Sequence, residues 1–404
     1  MEEIEIDKLL QKIKRKFVPS EKEEKRMSAV SGWIVSYLQR SASRQGLNVK
    51  IELGGSYAKH TWVKGSSDID VFVTFNSEDE TKKLRSLVPQ GFYPEHGTRE
   101  YFVGKVKGVN IQIVPVVSFE NIESVKNSID FSVLHKDYVL NHTNQRQRED
   151  IILLKQFCKA NSCYGSETYL HGFSGYVLEL LIIHYGSLKA LFLDAQNWEP
   201  GMFIDIEHVY QSKEEAVKQI GAKDNPLIIV DPTNKHRNVC GSLNLDNFSR
   251  FVFSVIRFVN DPDESFFQIK DERKEIVKES KRRGTLLYRV SKRISDPRER
   301  FLSQYVHKVD ESVKELRSGY VDVYDYHLIV NEKKVDTFIE IVPFSSVKIV
   351  RVLGPTLWID TKNILAFLKQ HKGSYLYHDR LAYDLVLKAS DINKFISKVI
   401  KKLN

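Results

Sequence analysis

Hydrophobic positions at the start of the chain recur with helical spacing. Ile6, Leu9, Leu10, Ile13 and Phe17 fall on one face, and Pro19 ends the segment. Ser20 with Glu23 reads as a capping box for a second helix, whose inner face is Val30, Trp33, Ile34, Tyr37 and Leu38. The period then shortens to two. Val49, Ile51 and Leu53 alternate as a strand, Gly54-Gly55-Ser56 makes a loop into one short helix, and a second strand begins at Asp68. A hairpin through Lys107-Gly108 joins 101–103 to 109–114.

From Asp150 the pattern is helical again. Ile151, Ile152, Leu154, Lys155 and Cys158 lead to Tyr164-Gly165, and a further helix spans Gly175 to Tyr185. A short strand, Leu227 to Val230, enters a polar loop holding His236-Arg237-Asn238, and a helix over 246–259 closes the region before Pro262. The segment 270–283 is almost all charge and reads as a solvated helix face or linker. Beyond it the pattern is α+β, with strands at 320–323 and 335–342 and a helix at 363–370. A last, Ser390-capped helix sets Lys394, Lys398, Lys401 and Lys402 opposite Ile392, Phe395, Val399 and Leu403. No internal repeat or low-complexity tract is present.

Length and composition narrow the class. With 404 residues the chain is long enough for several cores, and 42% hydrophobic with 28% charged residues is ordinary for a water-soluble protein. No run approaches the ~18 apolar residues of a membrane span. The acidic N-terminus lacks the build of a signal peptide. Three cysteines, Cys158, Cys163 and Cys240, match neither a disulfide framework nor a zinc spacing, so a reducing cytoplasm is the expected compartment. A net charge of +8 favours a polyanionic partner.

The candidate chemistry lies in the second strand. Alternate strand residues share a face, so Asp68 and Asp70 point one way while Ile69 and Val71 turn inward. Two adjacent carboxylates repel unless a cation lies between them, and a Gly-Gly-Ser loop just upstream suits a triphosphate carried by Mg²⁺. A lone Asp-x-Asp is more often a solvated pair; strand, glycine loop, helix and Asp-x-Asp in that order are not.

This order resembles the signature of the DNA polymerase β-like nucleotidyltransferase superfamily. Further stretches narrow the resemblance to the archaeal (class I) CCA-adding enzymes, which are tRNA nucleotidyltransferases. They are 54–66, Lys155 through Tyr164-Gly165, His171-Gly-Phe-Ser-Gly-Tyr-Val-Leu-Glu-Leu-Leu, Val230-Asp-Pro followed by Arg237-Asn-Val, and Val352-Leu-Gly-Pro. The resemblance implies a multidomain α+β fold. A nucleotidyltransferase head with a mixed sheet spans 1–147, a mostly helical, base-reading neck 148–262, an α+β body for tRNA binding 263–380, and a shortened tail helix 381–404. It also implies addition of C, C and A to the tRNA 3′ end from CTP and ATP, with Mg²⁺ as cofactor and, by analogy, a homodimer.

Residue by residue, the resemblance makes Asp68 and Asp70 the metal-holding catalytic pair and Ser56 a triphosphate ligand. Lys59 stands where the family usually has arginine, keeping the charge but losing the bidentate fork. His135, Lys155 and Tyr164 match positions that contact phosphates and ribose; read alone they are a surface histidine, a solvated lysine and a packing tyrosine. Arg237 matches the arginine that helps select C and A, where its fixed donors suit a base edge. Gly172 to Tyr176 reads as structural, with glycines that let neck approach head.

One departure matters. The family's third carboxylate falls in a run shaped Val-x-Val-Asp-Val-Val-Pro, which here is Val109-Asn110-Ile111-Gln112-Ile113-Val114-Pro115. Neutral Gln112 removes a charge from the site, so nucleotide binding with slowed transfer is the expectation. The alternative is a paralogue that binds tRNA ends or nucleotides without transfer.

Overall fold

The computed structural model describes residues 2–66, 68–97, 99–119, 125, 127–295, 298–331, 333–344, 347–356 and 361–404. These form two compact units, 1–270 and 271–404.

Helices α1 (Glu2–Phe17) and α2 (Glu21–Arg44) form as the periodicity requires. The capping box closes in both directions, with the Glu23 amide donating to Ser20 Oγ at 3.4 Å and the Ser20 amide to Glu23 Oε2 at 2.9 Å. Their apolar faces serve different cores. Met27, Val30, Ile34 and Leu38 of α2 cover a sheet, whereas Ile6, Leu10 and Ile13 of α1 join the helical core farther along the chain. Trp33, expected on the inner face, is 41% exposed and lies 5.7 Å from Tyr37. Trp33 is turned about 100° and Tyr37 about 60° off the centre of the stripe that Val30, Ile34 and Leu38 define.

The sheet is built from β1 (Lys50–Gly54), β2 (Asp68–Phe75), β3 (Tyr93–His96), β4 (Glu100–Val106) and β5 (Val109–Val117), with the short helices α3 (Gly55–Ala58) and α4 (Leu84–Leu87) between strands. Strand order is β1-β2-β5-β4-β3. The central β2/β5 pair is parallel and the remaining pairs are antiparallel, so the sheet is mixed. Ile69, Val71, Val73, Ile111 and Ile113 are buried on the α2 side.

The helical region comprises α5 (Ser132–His142), α6 (Gln145–Ala160), α7 (Gly175–Tyr185), α8 (Leu188–Ala195), α9 (Lys213–Ile220) and α10 (Leu245–Asn260). A small sheet of β6 (Met202–Ile204), β7 (Leu227–Asp231) and β8 (Asn234–Asn238) interrupts it. Phe157, Phe173, Phe192, Phe251 and Phe258 dominate the core. Asn144 and Gln147 box the start of α6, and Ser174 caps α7. These caps set which α6 and α7 side chains face the first sheet. Residues 236–238, expected as a polar loop, are strand instead. The Asn238 carboxamide accepts the Ile229 and Cys240 amides, each at 3.0 Å, and so completes the hairpin. No single described helix is long and apolar enough to cross a membrane; α7 and α8 are apolar because they fill this core.

The second unit holds α11 (Glu272–Arg283), β9 (Leu286–Arg293), α12 (Arg298–Ser318), β10 (Val323–Val330), β11 (Lys334–Ile341), β12 (Val347–Thr356), α13 (Thr361–Gln370), β13 (Tyr375–Tyr377), β14 (Arg380–Lys388) and α14 (Ala389–Lys401). Its sheets run β10-β11-β9 and β12-β14-β13. The charged segment is α11, and it does more than meet solvent. Arg283 makes a two-pronged pair with Glu340, both N–O distances being 2.8 Å, and Arg273 pairs with Asp336. Both acids are fully buried on β11. Residues 320–322, expected as strand, precede β10, with Tyr320 in the left-handed region at φ 63°. The closing helix begins at Ala389 without a side-chain cap, so Ser390 lies inside it; Ile392, Ile396 and Val399 are buried.

Because α11 is held by ion pairs, removing one partner should cost far more than removing both. Arg283→Ala strands the buried Glu340 carboxylate and should destabilise the second unit by about 3 kcal/mol. The double change Arg283→Met with Glu340→Leu should cost much less. Urea unfolding of the full chain, with amide exchange read on β11, separates the two outcomes.

Candidate active site

Asp68 and Asp70 lie on the sheet face opposite Ile69 and Val71, at the start of β2 where the glycine loop crosses. Gly55 has φ 60°, and a Cβ there would fall 1.6 Å from Asp70 Oδ2. The loop can therefore press its backbone against the carboxylate only because position 55 lacks a side chain. Burial, with the neighbouring Asp68 charge adding to it and Lys59 opposing, pushes the Asp70 carboxyl up to about 6. Asp68 is held differently. Its Oδ1 accepts from Asn110 Nδ2 at 2.8 Å and its Oδ2 from Ser66 Oγ at 3.2 Å. The β2/β5 register sets Asp68 beside Asn110 and Asp70 beside Gln112. Among the described residues no third carboxylate, histidine or cysteine joins the pair.

Next to this face is a buried charge cluster. Lys59, at the end of α3, and Lys155, on α6, both pair with Glu179 of α7, at 2.5 and 2.7 Å. Thr61 Oγ1 donates to Glu179 Oε1 at 2.7 Å and accepts from Lys155 Nζ at 2.8 Å. Burial would raise the Glu179 carboxyl, but the two ammonium groups outweigh it and hold it at about 2. Burial pulls Lys155 down to about 8 against the attraction of Glu179. Close packing makes the cluster possible: a Cβ on Gly175 would stand 3.3 Å from the Tyr164 hydroxyl and 3.5 Å from Lys155 Cε.

A third group continues the line. Lys59 Nζ lies 5.8 Å from the centre of the Tyr176 ring, which stacks on His135 at 3.9 Å. Asp231, fully buried at the end of β7, collects His135 Nε2 at 3.3 Å, Arg237 Nη1 at 3.0 Å and the Tyr176 hydroxyl at 3.3 Å. A carboxylate only accepts, so Nε2 of His135 carries the proton. Burial lowers the His135 pKa, with Asp231 resisting.

Most of the residues singled out in the sequence are thus neighbours within these three groups, with changes in what they touch. Lys59 and Lys155, expected to reach a triphosphate directly, are each engaged by Glu179. Arg237, expected to present its donors to a base, shares Asp231 with His135 while a third of its side chain stays exposed. Ser56 makes no side-chain hydrogen bond among the described residues. Tyr176, expected only to pack, stacks on His135. Glu179, Asp231 and Lys159 were missed as site residues, and the Asn110–Asp68 hydrogen bond was not anticipated. Glu179 was visible as the one acidic residue in apolar α7. Lys159 follows Lys155 by one turn, lies 5.1 Å from the Tyr164 ring centre, and feels the Asp68 charge.

Asp68 and Asp70 fit one divalent cation: they share a face, and a cation would offset both the burial and the Asp68 charge that raise Asp70. Metal binding must displace the Asp70 proton, so affinity for Mn²⁺ used as a probe should fall up to tenfold per pH unit below about 6, with proton release seen by calorimetry. Gly55→Ala should lower Mn²⁺ affinity at least about 100-fold, since the methyl group occupies the Asp70 oxygen position. Its thermal unfolding midpoint should fall by a few degrees, since Ala at positive φ costs ~1–2 kcal/mol and the Asp70 side chain must move aside.

Comparison with known proteins gives the family and the fold. Residues 35–143 match the family model described as nucleotidyltransferase domain, and 149–268 match tRNA nucleotidyltransferase, second domain. The chain is 29% identical over 383 residues to the CCA-adding enzyme of Methanothermobacter thermautotrophicus, covering 91% of this chain and 82% of that protein. It is 28% identical over 405 residues to the CCA-adding enzyme of Nanoarchaeum equitans, covering 96% and 97%. The fold of the Cid1 poly(U) polymerase bound to Mg and 3′-dATP is similar, with a TM-score of 0.51 at 16% identity over 66% of this chain and 99% of that one. The chain belongs to the tRNA nucleotidyltransferases, in the family of the archaeal CCA-adding enzymes.

Proposed function

We propose that this protein adds C, C and A to the 3′ end of tRNA from CTP and ATP, in a Mg²⁺-dependent reaction without a nucleic-acid template. The observation that carries this reading is that Lys59 links three groups: its charge acts on Asp70, it pairs with Glu179 beside Lys155, and it lies 5.8 Å from the Tyr176 ring that stacks on His135 of the Asp231–Arg237 group. A triphosphate would lie along Ser56 and the lysines, with the base toward Arg237. Mg²⁺ between Asp68 and Asp70 would supply charge neutralisation for the triphosphate and the departing pyrophosphate. The protein's part is to orient the nucleotide so that the tRNA 3′-hydroxyl meets the α-phosphorus in line.

The second reading, binding without transfer, is favoured by one feature. The position beside Asp70 is Gln112, and the position beside Asp68 is Asn110, whose amide already occupies one Asp68 oxygen. Both amides are neutral, so the side chains that would help activate the attacking hydroxyl carry no charge.

Incubating tRNA that lacks CCA with labelled CTP and ATP distinguishes the readings. Slow, ordered addition of C, C and A, accelerated at least tenfold by Gln112→Asp, supports the proposal; tenfold corresponds to ~1.4 kcal/mol of barrier. Salt-sensitive tRNA binding without incorporation by the parent supports the second reading. Addition of adenosine alone overturns both.

A further inference from the structure

The buried cluster at the centre of the site has an odd charge count. Lys59, Lys155 and Lys159 bring three ammonium groups to the region, and Glu179 is the acid that touches two of them. The two lysines reach it from different elements, one from the turn after α3 and one from α6. Thr61 completes the bracket, taking a hydrogen bond from Lys155 and giving one to Glu179. Glu179 has no solvent exposure and Lys155 only 3%.

We propose that Glu179 is a positioning residue for the triphosphate: it gathers Lys59 and Lys155 into one cluster and keeps Lys155 charged while the site is empty. This rests on the nucleotide-binding reading above. The groups facing Lys155 are Glu179 from α7, Lys59 from the end of α3, Lys159 on its own helix, and the Tyr164 hydroxyl. Burial raises the pKa of Tyr164, so it stays neutral, and Glu179 supplies the negative charge. Without it, desolvation and the neighbouring cations would act together on the most deeply buried ammonium, and Lys155 would shed its proton near neutral pH. An arriving triphosphate would then have to restore that proton before Lys155 could grip it. With Glu179 present the cation is ready, and the incoming anion exchanges places with a carboxylate that remains beside it.

CTP binding by the full chain with Mg²⁺ but without tRNA, measured between pH 7 and 9, tests this. The nucleotide is fully ionised across that range. The parent should bind with nearly constant affinity from pH 7 to about 8 and weaken above it, where Lys155 titrates. Glu179→Gln should weaken roughly tenfold per pH unit from pH 7 upward, with proton uptake on binding seen by calorimetry in buffers of different ionisation heat. Adding Lys155→Met to Glu179→Gln should remove the slope. Glu179→Asp keeps the charge one methylene farther away, so its high-pH limb should move down by a smaller amount. That variant decides the matter if Glu179→Gln does not fold. A pH profile parallel to the parent's in Glu179→Gln, or in Glu179→Asp where only that variant folds, overturns the proposal and leaves Glu179 a packing residue. If the parent binds no CTP at any pH, the nucleotide reading of the site falls instead.

Discussion

A carboxylate with no solvent exposure must have its charge met by the protein, and Glu179 meets this demand with two lysines drawn from separate elements. Burying any one of the three alone would cost several kcal/mol, so each is stable there only while the other two are in place. This mutual dependence ties the glycine loop and the start of β2 to α6 and α7. The position of α7 in turn sets Tyr176, one helical turn before Glu179, against His135. The same rule governs Asp231, whose buried carboxylate collects a histidine, an arginine and a tyrosine. The geometry of the site follows from satisfying two interior anions.

The elements that face solvent on one side were the easiest to read from the sequence. The α2 capping box and the alternation through β2 depend on residues close in the chain, and their periods are unambiguous. The strand after the hairpin was legible in its parity and its motif, which put Gln112 at the position of the third carboxylate, whereas its parallel pairing with β2 was not. Contacts between distant segments were not legible. Nothing local in 154–156 says that Lys155 meets a glutamate twenty-four residues on, and Asn234–Asn238 pairs as a strand through a side-chain bracket that composition alone would assign to a loop. Trp33 and Tyr37 misled because large apolar side chains were counted without asking whether they lay on the stripe.

Charge patterning misled in the second unit. Helix α11 is polar nearly throughout, which ordinarily marks a solvated surface element. It is docked all the same, because β11 offers two buried acids as sockets for its arginines. The apolar face that sequence patterning looks for is here replaced by ionic contacts, and the acids that make them lie in a strand otherwise read as an ordinary buried one. The fold class survives such errors, since it depends on element order rather than on how each helix is attached.

Gln112 is exposed on its strand and its side chain makes no hydrogen bond among the described residues, while Ile111 and Ile113 on either side carry the packing. Exchanging an amide for a carboxylate there changes the charge of the site without disturbing a single core contact. Packing and chemistry are therefore decoupled at this position. The cost of the exchange is electrostatic and local: a third carboxylate would add to the repulsion already borne by Asp68 and Asp70, so the occupant of this position sets how strongly the site depends on a cation and not how the sheet packs.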